Sequence, residues 1–214
     1  IRIHDVDSIQ GYKEVEADLE LISYKPEKIK VYCEDVTSTK LLQHLLPQTI
    51  KQHLSFQTIS IGLPEYIKLY QKKFYDLRRG IIVLDGDWES IVSVNQRQIV
   101  QKAKTIVPLP KEECLEVAIF KLIAPMDSEK FEKRFKEKKD VIFRDFSPVQ
   151  FNQKAKCPAQ QKEFAKDFFK QTEIQGKLFT FWKELHEQDC KKFVSNFTSA
   201  YNVLAKQLEI DLIN

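Results

Sequence analysis

The stretch KIKVYCEDVTSTKLLQHLL, Lys28 to Leu46, carries the reading of this chain. Its first six residues make a short run with β-branched and aromatic side chains, suited to a strand. Its second half spaces leucines at three to four residues, as one buried helix face requires. Between the two stand two acids, Glu34 and Asp35, then a run of hydroxyls. Acids at a strand tip either cap the helix that follows or face a ligand, and Asp35 suits the capping role.

Outward from this stretch the alternation continues. FQTISI, GIIVLD and TIVPL read as further strands, and PEYIKLYQKKFYDLRR and SIVSVNQRQIVQKA as amphipathic helices between them. Strand and helix in turn predict an α/β fold with a mostly parallel sheet flanked by helices. Beyond Met126 the strand signal gives way to polar helices with one apolar face, so the expected organisation has three parts. Residues 1–27 are a linker or the remnant of a preceding domain, 28–125 an α/β domain, and 126–214 an α-helical C-terminal subdomain. Ser147 and Gln150, with Pro148 at the first helical position, predict a capping box. Phe164, Phe168, Phe169, Phe179, Phe181 and Trp182 recur at helical spacing and are read as core rather than as a base-stacking platform.

Composition narrows the function classes. The 214 residues are 43% hydrophobic with only 5 Gly and 8 Pro, enough to bury a core and unlike a disordered or fibrous chain. Cys33, Cys114, Cys157 and Cys190 are far apart with no C-x-x-C and no nearby histidine pair, which suggests neither a zinc site nor a disulfide framework. They are read as reduced thiols of a cytoplasmic protein. No apolar run reaches the ~20 residues of a membrane span. The net charge of +3 is too small to argue for nucleic acid by itself, although KFEKRFKEKK, Lys130 to Lys139, is locally basic. His4, His44, His53 and His186 are scattered and take no assigned chemistry. The chain opens on Ile1 and is read as a processed product or a fragment of something longer.

A second acid-tipped strand decides the site. In IIVLDGDWE, Asp85 and Asp87 follow an apolar strand two positions apart, and both project to one side if the extended backbone persists through Gly86. The crevice beyond the carboxyl ends of parallel strands is the usual ligand site. Carboxylates gathered there repel one another unless a cation joins them, and a hard ion such as Mg²⁺ or Mn²⁺ suits an all-oxygen set.

Glu34 at the end of one strand, an amphipathic helix, then Asp85-Gly86-Asp87 at the end of another resembles the Toprim domain. VYCED, VLDGDWE and VPLPKEECLEVAIFKLI are most similar to the Toprim part of OLD-family (overcoming lysogenization defect) endonucleases, over about residues 28–125, and the helical tail is also similar. The resemblance implies a Mg²⁺- or Mn²⁺-dependent nuclease acting on nucleic acid, DNA rather than RNA. Glu34, Asp85 and Asp87 would be its catalytic metal ligands, with Asp35 and Glu116 as further ligands and Glu89 behind them. A lysine would neutralise the phosphate, with Lys40, the Lys130–Lys139 cluster and Lys154 as candidates; Asn95 and Arg97 could border the site. It also implies an ATPase domain or subunit outside this chain, since no G-x-x-x-x-G-K-[ST] loop occurs here, and leaves a homodimer open. Ser38 departs from the pattern, standing where many members carry a second acid four residues after the glutamate. Two alternatives stay open: a receiver-like phosphoacceptor domain using Glu34, Asp35 and Asp85, and a catalytically inactive Toprim module kept for nucleic-acid binding or assembly.

Overall fold

A computed structural model describes residues 28–58, 61–73, 77, 79–110, 113–208 and 212. The expected linker at 1–27, with His4, lies outside the described residues. The elements run β1 (Ile29–Cys33), α1 (Val36–Leu45), α2 (Gln48–Lys51), β2 (Leu54–Thr58), α3 (Leu63–Gln71), β3 (Gly80–Leu84), α4 (Trp88–Ile91), α5 (Val94–Lys102) and β4 (Ile106–Pro108). Helices follow: α6 (Leu115–Ile123), α7 (Ser128–Phe135), α8 (Lys139–Ile142), α9 (Pro148–Gln153), a 3₁₀ turn (Lys154–Lys156), α10 (Pro158–Gln171), α11 (Gln175–Leu185) and α12 (Glu187–Leu208). The protein is thus α/β, a four-stranded parallel sheet of order β2-β1-β3-β4 with a helical C-terminal part.

Both faces of the sheet are covered, which is why the strands read as nearly continuous apolar runs. Val31, Cys33, Ile81, Val83 and Val107 point into one core. Their neighbours Tyr32, Ile82, Leu84 and Ile106 point into the other, as the two-residue period of a strand demands. The second core is smaller and is closed by α3, α4 and α5 through Leu63, Tyr66, Ile67, Trp88 and Val100. The first contains α1, α6 and every long helix after Met126 in one buried cluster, so the C-terminal helices pack on the sheet. Phe168, Phe169, Phe179 and Trp182 are buried there and Phe164 and Phe181 half-buried against them, as their spacing predicts.

Three local differences from the sequence reading have physical causes. The second strand begins at Leu54, two residues before FQTISI, where Leu54 pairs with Ile29. SIVSVNQRQIVQKA divides into two helices because Ser93 forms a full capping box with Gln96 and restarts the chain as α5. Ser147 caps α9 by accepting from the Val149 amide at 3.2 Å, two residues on, in place of the third-residue amide of the expected box. Pro108 closes β4 without loss because β4 is an edge strand. No helix among the described residues is long and apolar enough to cross a membrane.

Gly80 opens β3 against Tyr32. A Cβ placed there would lie 2.5 Å from Tyr32 Cε2 and 2.8 Å from the Lys30 carbonyl oxygen. Backbone cannot yield as a flexible side chain can, so Gly80→Ala is expected to cost about 1–3 kcal/mol. An unchanged urea midpoint would show that Tyr32 moves aside at no cost.

Candidate functional site

The strand order reverses direction at β1: β2 lies on one side of it and β3 on the other. The crevice between the carboxyl ends of β1 and β3 is therefore the topological switch point, where open parallel sheets bind ligands. Cys33 is paired with Val83 across it, so Glu34 and Asp35 leave β1 where Asp85 and Asp87 leave β3.

Each acid has a distinct local reason for its position. Asp35 is the N-cap of α1 and accepts from the Ser38 amide at 2.9 Å. Ser38, 4% exposed, turns its hydroxyl across the crevice and donates to Asp85 Oδ1. The chain turns directly after β3, with the Trp88 amide donating to the Asp85 carbonyl at 3.2 Å. The extended backbone expected through Gly86 is thus replaced by a turn, because α4 starts at once. Asp87 then sits at the N-cap position of α4 without capping it, and its carboxylate is left for other partners.

Those partners are lysines that the sequence reading did not single out. Lys162 Nζ donates to Asp87 Oδ2 at 2.9 Å and Lys166 Nζ to Asp35 Oδ2 at 2.6 Å, each pair about three-quarters buried. Both lysines come from α10, one turn apart, flanking the buried stripe of Ala165, Phe168 and Phe169. The lysines proposed from sequence do other work. Lys40 donates to Gln175 Oε1 at 2.7 Å, Lys130 pairs with Asp127, and Lys139 donates to the Ala124 and Met126 carbonyls. Lys154 lies in the 3₁₀ turn, Glu89 and Asn95 are exposed, and Arg97 is half-buried.

Glu116, on the first turn of α6, is 3% exposed; its Oε2 accepts from the Cys114 thiol at 3.1 Å, while its Oε1 has no partner. Its charge acts on both Asp85 and Lys166. Burial, then the charges of Asp35, Glu34 and Glu116, push the Asp85 carboxyl up to about 7 against the pull of the Ser38 hydroxyl. Burial also raises Glu34, opposed by Lys162 and Lys166. Burial works against ionised Asp35 too, but the Lys166 and Ser38 bonds outweigh it and hold that carboxyl below its usual range. Lys166 and Lys162 are held above the usual lysine range although burial opposes it, because each is bonded to its aspartate.

The donor set can be tested for a divalent cation. Glu34 Oε2, Asp87 Oδ1 and Glu116 Oε1 are buried acceptors with no hydrogen-bond partner, and unpaired buried carboxylate oxygens are costly unless something positive reaches them. All are hard oxygens, the chemistry Mg²⁺ or Mn²⁺ selects. In the arrangement described, with both lysines engaged, no group of three or more His, Cys, Asp or Glu among the described residues is gathered to hold a metal. The residue types and the orphaned oxygens fit such an ion; the gathering is incomplete.

Fold and site together define an α/β protein with an acidic, lysine-lined crevice at the switch point of its sheet. The chain matches no protein-family model, no curated protein and no solved structure.

Proposed function

We propose that this crevice is the centre of a Mg²⁺- or Mn²⁺-dependent nuclease that hydrolyses phosphodiesters, DNA in preference to RNA, in the manner of an OLD-family Toprim module. The observation that carries the reading is that Glu34, Asp85 and Asp87 leave two neighbouring parallel strands at one switch point, with buried, unpartnered oxygens on Glu34 and Asp87. Glu34, Asp85 and Asp87 would hold the ion, with Asp35 and Glu116 behind them. Bound there, the ion would supply an activated water and charge stabilisation for the leaving oxygen.

The chain's own residues do the rest. Ser38 orients the Asp85 carboxylate through its hydroxyl, which accounts for a serine at this position. Lys162 and Lys166 bring two positive charges to the crevice and are the groups suited to a phosphate. With a net charge of only +3, tight binding to a long polyanion needs further basic surface, consistent with a partner such as an ATPase domain or subunit outside this chain. The phosphoacceptor alternative needs an Asp85 carboxylate open to a phosphodonor, and Asp85 is 6% exposed and held by Ser38. The non-catalytic alternative draws support from the two lysines, which already neutralise Asp35 and Asp87 without a metal.

Incubation of plasmid DNA, linear DNA and RNA with Mg²⁺ or Mn²⁺ tests the proposal. Asp85→Ala and Glu34→Gln are each expected to lower the cleavage rate about 100-fold or more, since each removes a direct ligand. Cleavage that survives both substitutions would place the activity elsewhere.

A further inference from the structure

Lys162 and Lys166 neutralise two of the acids at the switch point. Their ammonium groups reach the crevice from one helix, at 2.9 Å from Asp87 and 2.6 Å from Asp35, and both ion pairs are largely shielded from water. The helix itself is fixed, because Ala165, Phe168 and Phe169 on its adjoining face are fully buried. Each lysine side chain, by contrast, has four rotatable bonds and an end that is happiest hydrated. Meanwhile the oxygens these lysines do not reach, on Glu34, Asp87 and the 97% buried Glu116, are left without partners. Two monovalent charges therefore satisfy part of a cluster whose remaining acceptors are unsatisfied.

We propose that Lys162 and Lys166 form a displaceable internal latch: they neutralise Asp87 and Asp35 in the metal-free protein, and a divalent cation entering the crevice expels both ammonium groups into solvent. This rests on the cation reading above. The exchange conserves charge at the carboxylates. One divalent ion replaces two ammoniums at the carboxylates and can reach Glu34 as well, which neither lysine is bonded to. Asp87 and the Oδ2 oxygen of Asp35, released from α10, are then open to the ion while Asp35 Oδ1 keeps its bond to the Ser38 amide, which supplies acceptors that the latched arrangement withholds. Metal affinity is consequently set by competition with the protein's own lysines.

Two measurements with Mn²⁺ as the probe test the latch. The first is calorimetric titration of the wild type, the Lys162→Met/Lys166→Met double variant, and Lys170→Met, which removes an exposed charge paired with Asp167 one turn further along α10. The double variant is expected to bind about tenfold more tightly or better, a difference of about 1.4 kcal/mol, and Lys170→Met to bind as the wild type does. The second is trace acetylation of the wild-type protein read by mass spectrometry. Mn²⁺ is expected to raise modification of Lys162 and Lys166 several-fold relative to Lys170, and this readout stands even if the double variant does not fold. Binding of Mn²⁺ with unchanged reactivity at both lysines would overturn the latch and leave the cation reading intact. Binding by neither the wild type nor a folded double variant would overturn both, whereas binding by the double variant alone supports a latch that holds the site shut.

Discussion

Asp85→Asn stabilises the metal-free protein at pH 8 and leaves it unchanged at pH 4. Burial and three neighbouring carboxylates lift the Asp85 carboxyl from 3.8 to about 7. Between those values the folded protein holds a proton that the unfolded chain has lost. Stability therefore falls as pH rises through that window, and above about pH 7 the whole penalty is present. A carboxyl held that far above its ordinary value carries a penalty of about 4 kcal/mol when ionised, an upper figure because the surroundings can relax around the charge. Asparagine has the same shape, keeps an oxygen to accept the Ser38 hydroxyl and never ionises. The difference in urea-unfolding free energy, measured with chelator present, should open from pH 4 to pH 7 and then level off. A gap that is flat with pH, or a wild type that is the more stable at pH 8, would show that Asp85 is not forced to carry charge against its surroundings.

Phe120→Ala should cost about 3–5 kcal/mol, the range for deleting a fully buried aromatic ring. Phe120 has no exposed surface and touches the rings of Phe151, Phe168, Phe143 and Phe164, at centroid distances of 4.4, 5.1, 5.5 and 5.6 Å. It comes from α6, ahead of Met126, while all four neighbours lie after it, Phe143 at the C-cap of α8 and the others in α9 and α10, so removing it opens the seam between them. Trp182 reports on that core and Trp88 on the opposite face of the sheet. Both fluorophores are expected to report the same lowered midpoint. A loss under about 1 kcal/mol, or two separate midpoints, would mean that the seam carries little of the cooperativity.

Much of the sheet was legible because its signals are local. The apolar runs around Val31 and Ile82, the leucines of α1 and the acids at the two strand tips all read within a few residues, and the fold follows from their alternation. The break between α4 and α5 was also written locally, as Ser93 and Gln96, but was masked by a helical period that continues across it. Lys162 and Lys166 were not legible as site residues. Their spacing marks them only as the edge of an amphipathic helix, and nothing within α10 says that this edge faces Asp35, 131 residues away. Ser38 read as a missing acid because its partner Asp85 is 47 positions distant. Side chains whose meaning depends on what packs across from them are invisible to pattern.

The double engagement of Asp35 bears on how any substitution at this site is to be interpreted. One of its oxygens starts a helix and the other holds α10 through Lys166. An alanine there would remove both at once, and a loss of activity would not say whether chemistry or architecture had failed. Asparagine retains an acceptor for the Ser38 amide while discarding the negative charge, so the pair Asp35→Asn and Asp35→Ala separates the two roles within a single position. In this protein the grammar of the helix start and the chemistry of the crevice are spelled with the same letter.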